Sequence, residues 1–453
     1  MKTIEQIAAE LQGYDPQALS AADVNQFLAR LVEPVTETED VGVFDALGRV
    51  LAQDVVSPIS VPPHDNSAMD GFAFDGTQLG AGQALSLRVA GTAFAGKGWS
   101  GTVATGECLK IMTGAIMPAG LDTVVPLEFV TLDGDRVHIP AGVVKAGDNR
   151  RFAGEDLMAG QPALRRGQTL GPAALGLIAS LGLPAVPVFR RVKVAYFSTG
   201  DEILSLGEAP REGAVYDSNR YTVFGLLTRL GVEVIDMGVV GDQPALLEAA
   251  FRQAATQADA IITSGGVSMG EADHTKAMMK QLGDVAFWRI AMRPGRPMAV
   301  GRIVVPHAPP LRGSLPPEGV EPGLGRPGAE LSENGKSAVL FGLPGNPVAV
   351  MVTYLAFVRP ALQRMMGSTG AEPVLLKAHS LEPLRKKPGR TEYQRGIVTR
   401  SADGRLTVRT TGNQGSGVLR SMVEANGLIV LHHDQGNVAV GGEVDVMMFD
   451  GVV

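Results

Sequence analysis

The sequence predicts a multidomain protein of α/β plus β class, and three observations carry that expectation. A chain of 453 residues is too long for one hydrophobic core, and suggests roughly three domains. From Val192 to Ser264 short apolar strands alternate with helical segments, the pattern of a mostly parallel sheet with crossover helices. Before and after that region the chain turns to short alternating runs rich in Gly, Thr and Val, which read as β domains.

Taken in order, Val24, Phe27, Leu28 and Leu31 fall at helical spacing and predict a helix over 21–32. "VVSPISVPPHDNSAMDG" then opens a mainly-β domain between about Leu51 and Val144. "GPAALGLIASLGL" reads as a helix over 171–183, with Pro172 in its first turn. The α/β stretch follows as "VKVAYF", "RYTVFGLLTRL", "VEVIDMGVV", "PALLEAAFRQAATQA" and "DAIITS", strand and helix in turn. Residues 306–336, crowded with Pro and Gly, read as an exposed, mobile insertion between two strands, a solvated linker without function. "AVLFGLPGNPVAVMVTYLAFV" restores strand, turn and helix. After Glu372 short strands return in "GRLTVRTT", "GLIVLHH" and "GGEVDVMMF".

Composition narrows the function classes. Hydrophobic residues at 45% and charged residues at 19% fit a soluble globular protein. A formal charge of -7 gives no net electrostatic footprint for nucleic acid, so an anion site has to be a local basic cluster. The single cysteine, Cys108, excludes an intramolecular disulfide framework and a multi-cysteine zinc site. The N-terminus lacks the pattern of a signal peptide, and the most apolar stretch, 341–358, is too interrupted to span a membrane. The expectation is a cytoplasmic protein with neither nucleic-acid nor membrane partners.

The chemistry is sought in "IITSGGVSMGEADHTK". Gly266-Val267-Ser268-Met269-Gly270 matches a hydrolase nucleophile elbow, with His307, His379, His432 and His433 downstream. Those histidines fall in the insertion and in another domain, which disfavours a triad. "GTAFAGKG" imitates a phosphate-binding loop but has Gly98 where a hydroxyl is needed and no helix after it, so it reads as a β-turn. The stronger reading makes the Gly-Gly turn a backbone cradle for an anion, together with the strand ends "FSTGDE" and "FGLPGNP". Glu202, Asp242, Glu271 and Asp273 accompany these turns; carboxylates beside a phosphate cradle suit Mg²⁺. Asp242 and Asp273 could equally serve as helix N-caps. Arg289, Arg293 and Arg296 surround a Pro-Gly turn, where guanidinium groups can clamp an oxyanion.

"DNSAMDGFAF", "IMTGAIMPAGLDTVV", "AGEDL", "FSTGDEI", "YDSNRY", "TSGGVSMGEADHTK", "RPGRP" and "GLPGNPVAV" occur in one order. In this the chain resembles the molybdopterin molybdenumtransferase family of molybdenum cofactor biosynthesis, which also includes a domain of gephyrin. The resemblance spans nearly the whole chain, the insertion excepted. It implies a homodimer of four-part subunits: an elongated discontinuous domain (1–48 and 154–190), the mainly-β domain (49–153), an α/β three-layer molybdopterin-binding domain (191–368) and a C-terminal β-barrel (369–453). It implies a reaction in which adenylylated molybdopterin and molybdate yield molybdenum cofactor and AMP, with Mg²⁺. Carried over by motif, Asp273, Asp242 and Glu202 are the metal and catalytic acids, and Asp65 and Asp156 reach the cleft from the partner subunit. Thr113, Thr199, Gly200, Ser264, Gly265, Gly266, Ser268, Gly345, Asn346 and Pro347 line the pterin or nucleotide pocket. Arg293, Arg296, Arg390 and Ser421 bind molybdate.

The chain departs from the family's pattern at Arg289, Arg293 and Arg296, where lysines are common, and at Ala349, where a serine is. Partners implied by the resemblance include other cofactor-biosynthesis proteins and acceptor molybdoenzymes. Two alternatives remain open at this stage: adenylyl transfer onto molybdopterin, and a non-catalytic scaffold of the same fold.

Overall fold

The computed structural model describes residues 2–267, 273–305, 336–370 and 373–449; the side chains of Asp273, His274 and Thr275 lie outside that description. Residues 306–335, the body of the expected insertion, and Ser268 also lie outside it.

The α/β region is built on a six-stranded sheet. Four strands are parallel, in the order Glu233–Val240, Lys193–Thr199, Ala260–Ser264 and Ser337–Leu343. Pro297–Val304 and Gly283–Arg289 extend it antiparallel. The strands Lys193–Thr199, Ala260–Ser264 and Ser337–Leu343 are buried almost throughout, as a sheet covered on both faces requires. Helices Ser218–Leu230 and Pro347–Thr353 lie on one face, Pro244–Gln257 and Asp273–Leu282 on the other. Asp217 caps Ser218–Leu230 by accepting from the Arg220 N–H at 3.0 Å, and Gly231 closes that helix at φ +86°, a left-handed position suited to glycine. Because the second strand in the chain lies on one side of the first and the third on the other, a crevice opens between Lys193–Thr199 and Ala260–Ser264 at their carboxyl ends.

The helix expected near residue 21 is Ala21–Leu31, opened by a capping box between Ser20 and Asp23. Its buried face, Val24, Phe27, Leu28 and Leu31, joins the core of the α/β sheet. Phe27 meets Trp288 edge to face at 4.9 Å, and Trp288 Nε1 donates to Tyr14 Oη at 3.0 Å. Next, Thr38–Gly42 pairs antiparallel with Ala185–Phe189, and helix Pro172–Ser180 packs beside them.

Six strands in the order Thr123–Pro126, Gly71–Phe74, Glu107–Ile111, Leu85–Ala93, Arg136–Ile139 and Thr131–Asp133 form a second sheet. Leu85–Ala93 ends in a turn where the Lys97 N–H reaches Phe94 O at 3.4 Å, so the phosphate-loop look-alike is a turn.

In the C-terminal region Thr391–Arg400, Leu406–Thr410, Leu376–Ser380, Glu443–Met448 and Gly427–Leu431 close a five-strand barrel, the last pairing back onto the first. Closure removes exposed strand edges, and Ala378, Val408, Ile429, Leu431 and Val446 fill the interior.

One element differs from expectation. The helix after "GLPGNP" is broken into Pro347–Thr353, a π-turn at Tyr354–Val358, and Arg359–Met365. Pro360 has no N–H for the carbonyl four residues back and its ring crowds that turn, so the helix widens ahead of it. Among the described residues no helix is long and apolar enough to cross a membrane.

Candidate active site

Because the four strands run parallel, the turns that follow them gather on one edge. A cavity of about 860 Å³ lies there, between the sheet edge and the barrel. Thr199, Glu202, Ser264, Gly265 and Gly266 line its first wall, and Gly345 and Asn346 continue it. Gly200 and Pro347 adjoin those turns without lining the cavity. Gly265 has φ +95°, and a Cβ there would stand 2.5 Å from the Thr199 carbonyl oxygen. Only glycine lets the two strand ends approach so closely; the Gly265 N–H is itself taken, donating to Leu343 O at 3.2 Å.

Arg293, Arg296 and Arg390 line the facing wall. The arginine turn is held from both sides: Met292–Arg293 pairs with Thr391–Glu392 of the barrel, while Gly295, at φ +90°, packs its backbone against Thr353. Arg289, also expected at an oxyanion site, is exposed outside the cavity. Arg390 is already committed: its guanidinium pairs with buried Glu392 at 2.7 Å. Ser421 is set back from the cavity wall. It is 3% exposed, donates to Val418 O at 2.6 Å and accepts from Arg395 Nε at 3.0 Å.

Arg395 is the residue that sequence reasoning missed. Its side chain is 1% exposed and donates to the Ser421 hydroxyl and to the carbonyls of Asn413 and Gly415, with no carboxylate paired to it among the described residues. Burial, and then the neighbouring Arg293 charge, push its pKa down to about 10. A buried cation without a counter-ion is costly, and an oxyanion between the two guanidiniums would relieve it. Arg293 and Arg395 share a smaller adjoining cavity of about 290 Å³. Thr391, Tyr393 and Arg395 share the strand face that turns away from the barrel interior: Tyr393 stands opposite Val430 and Arg395 opposite Leu428, and Tyr393, Leu428 and Val430 belong to the core shared with the α/β sheet. Gln414, Ser416 and Asn219 line the main cavity as well. The first two come from a glycine-rich loop whose Ser416 carbonyl accepts from the Val348 N–H at 3.1 Å, tying barrel to sheet edge.

Carboxylates stand at two adjacent strand ends. The Asp242 N–H donates to Asp201 Oδ1 at 3.2 Å. Partial desolvation, then the charges of Asp201 and Glu202, push the Asp242 carboxyl above the usual carboxylate range. Crowded carboxylate oxygens are the hard donors that Mg²⁺ takes, so the donor type fits that ion. Among the described residues no three His, Cys, Asp or Glu side chains converge on a common metal position. Asp273 begins the helix Asp273–Leu282 after the Gly-Gly turn.

Asp65, Thr113 and Asp156 do not line this cavity. Asp65 accepts from Ala153 N–H at 2.8 Å and Arg150 Nε at 2.9 Å. Thr113 Oγ1 donates to Asp70 at 2.8 Å, and Asp156 is exposed. His379, His432 and His433 sit in the barrel region away from the cavity, with His432 paired to Asp445 at 2.6 Å.

Comparison with known proteins gives matches along the chain. Residues 19–182 match the MoeA N-terminal region (domain I and II), 195–364 a probable molybdopterin binding domain, and 377–449 the MoeA C-terminal region (domain IV). The molybdopterin molybdenumtransferase of Haemophilus influenzae is 38% identical over 416 residues, covering 92% of this chain and 95% of that protein. The protein of the same name from Nostoc sp. is 33% identical, covering 95% and 93%. Among solved structures, the molybdopterin biosynthesis moeA protein from Pyrococcus horikoshii OT3 superposes with a TM-score of 0.76 at 25% identity, covering 96% of this chain and 100% of that one.

Proposed function

The chain belongs to the molybdopterin molybdenumtransferase family, enzymes of molybdenum cofactor biosynthesis, and on that premise we propose that it inserts molybdenum from molybdate into adenylylated molybdopterin with release of AMP. The observation that carries this reading is the pairing of two walls. Glycine turns and hydroxyls at the sheet edge face guanidiniums at Arg293 and Arg296, with Arg395 buried behind them and, among the described residues, no carboxylate paired to it.

In this reading the Gly265 turn, its own N–H held by Leu343 O, lets the Gly266 backbone approach the phosphates of the substrate, and Thr199 and Ser264 add hydroxyl contacts. Arg293 and Arg296 hold the tetrahedral oxyanion by forked hydrogen bonds, and Arg395, whose Nε and one terminal nitrogen are already committed, adds its charge from behind. Arg390 acts with less freedom because Glu392 already holds it, and Ser421 acts by fixing Arg395. Asp242, Glu202 and Asp273 hold Mg²⁺, which supplies charge neutralisation at the phosphoanhydride. Asp65 and Asp156 act across a homodimer, reaching the partner subunit's cavity, in keeping with their absence from this subunit's own cavity wall.

The test is AMP release from adenylylated molybdopterin with Mg²⁺, with and without molybdate, followed alongside formation of active cofactor. Molybdate-dependent release with cofactor formation is the expected result. Adenylylation of molybdopterin from ATP would favour the preceding step in place of this one. Absence of release in every arm, tungstate included, would overturn the reading in favour of a scaffold.

A further inference from the structure

Beneath the cavity three hydroxyls meet. Tyr196 Oη lies 2.7 Å from Ser264 Oγ and 2.9 Å from Ser198 Oγ, and the two serine oxygens are 3.2 Å apart. The geometry follows from the sheet: Tyr196 and Ser198 are two residues apart on one strand, so they share a face, and Ser198 stands in register beside Ser264 on the next. All three are nearly inaccessible, at 1%, 1% and 4% exposure, yet Ser264 ends its strand on the cavity wall.

That face otherwise carries apolar residues such as Val194, Val223 and Leu227. A phenol buried in such a core needs a partner, and the partners it has are two serines that could bond each other without it. The group is a rather expensive way to fill space that phenylalanine would fill. Burial pushes the Tyr196 phenol well above its ordinary pKa, so it stays neutral and has one proton to give. A phenol is by its chemistry a stronger hydrogen-bond donor than an aliphatic alcohol, and the shorter contact of Tyr196 is to Ser264. Each contact of the triangle can run in either sense; the arrangement with Tyr196 donating to Ser264 and Ser198 to Tyr196 forgoes the longer serine–serine bond at 3.2 Å and leaves the Ser264 proton for the cavity. Hydrogen bonds in such a chain polarise one another, making the last hydroxyl a better donor.

We propose that Tyr196 is a positioning residue, which holds the Ser264 hydroxyl with its proton turned into the cavity as a donor to an anionic oxygen of the bound substrate. This rests on the proposed function, in that the anionic oxygen belongs to adenylylated molybdopterin. Ser264 touches substrate; Tyr196 acts through it.

The test is steady-state AMP release by the full chain with adenylylated molybdopterin, Mg²⁺ and molybdate. Tyr196→Phe raises KM by roughly 3- to 10-fold, about the worth of one neutral hydrogen bond, with kcat within about twofold because the contact is made equally in ground and transition states. Ser264→Ala raises KM at least as much, and the double variant matches Ser264→Ala alone, since the phenol has no other route to the substrate. Tyr354→Phe is the control: it deletes another buried phenol, whose hydroxyl donates to Leu226 O at 3.2 Å, and leaves KM unchanged. An unchanged KM in Tyr196→Phe, or additive effects in the double variant, would overturn the inference. Should Tyr196→Phe fail to fold, an unchanged KM in Ser264→Ala overturns it alone. A wild-type protein that neither releases nor binds AMP overturns the reading of the cavity and this inference with it; wild-type turnover with an indifferent Tyr196→Phe overturns the inference only.

Discussion

Gly265→Ala tests the crevice most directly. The residue has φ +95°, where an L side chain costs about 1–2 kcal/mol. The new Cβ would stand 2.5 Å from Thr199 O and 2.9 Å from Thr199 Oγ1. The first of these is backbone, in a strand hydrogen-bonded on both sides, so it cannot swing away as a side-chain tip could. Overpacking of that kind costs about 1–3 kcal/mol, and the two terms together give about 2–5 kcal/mol if the strand ends hold their places. If they yield, the crevice widens and the cost appears in substrate binding. Urea denaturation followed by Trp288 emission in a Trp99→Phe background reads the first outcome, and KM for adenylylated molybdopterin reads the second. Trp288 suits the purpose because it is 3% exposed in this same sheet. Gly345→Ala is the comparison: its Cβ would meet only Gly265 Cα, at 3.9 Å, so its urea midpoint stays at the wild-type value. A Gly265→Ala protein with unchanged midpoint and unchanged KM would refute the account of the crevice.

Three further outcomes are expected. Phe27→Ala, which empties a fully buried position against Trp288, lowers stability by about 3–5 kcal/mol and shifts Trp288 emission to the red; a wild-type urea midpoint would contradict the docking of the first helices on the sheet. The Cys108 thiol, pushed up to about 12 by burial and then by the Glu107 charge, resists iodoacetamide at pH 8 in the native protein and reacts in urea, and fast native labelling would count against this. Asp65 is held below the usual carboxylate range by the Ala153 N–H and then by Arg150. Its folded pKa being depressed, its stabilisation is complete above the unfolded value of about 3.9 and is lost as pH falls through the lower folded value. The difference in urea midpoint between wild type and Asp65→Asn therefore shrinks from pH 7 to pH 3, and a constant difference would exclude an ionic role.

Much of the sheet was legible because its signals are local. Strands at Lys193–Thr199 and Ala260–Ser264 announce themselves as unbroken apolar runs ending in "STG" and "TSGG", and Ser218–Leu230 by a capping Asp217 and a closing Gly231. From alternation alone, the parallel direction of the strands and the common edge of those turns follow, though not the strand order. The arginines were harder. Arg390 and Ser421 look available in the sequence, yet one is paired with Glu392 and the other faces Arg395. Arg395 reads as one polar residue in an alternating strand; only the packing of the barrel's outer face on the α/β sheet buries it beside Arg293.

Local order along the chain carries the class of each segment, the glycine turns at three strand ends and the family to which the motifs point. Tertiary structure alone decided that the arginine turn is clasped between barrel and helix, that the first helices dock on Trp288, and that a phenol stands under Ser264. The physical reason is one of range. Propensity, capping and turn chemistry act over a few neighbouring residues and are written in order along the chain. Which faces meet is settled by apolar area summed over whole elements far apart in sequence, and a polar residue's role depends on what that meeting leaves beside it.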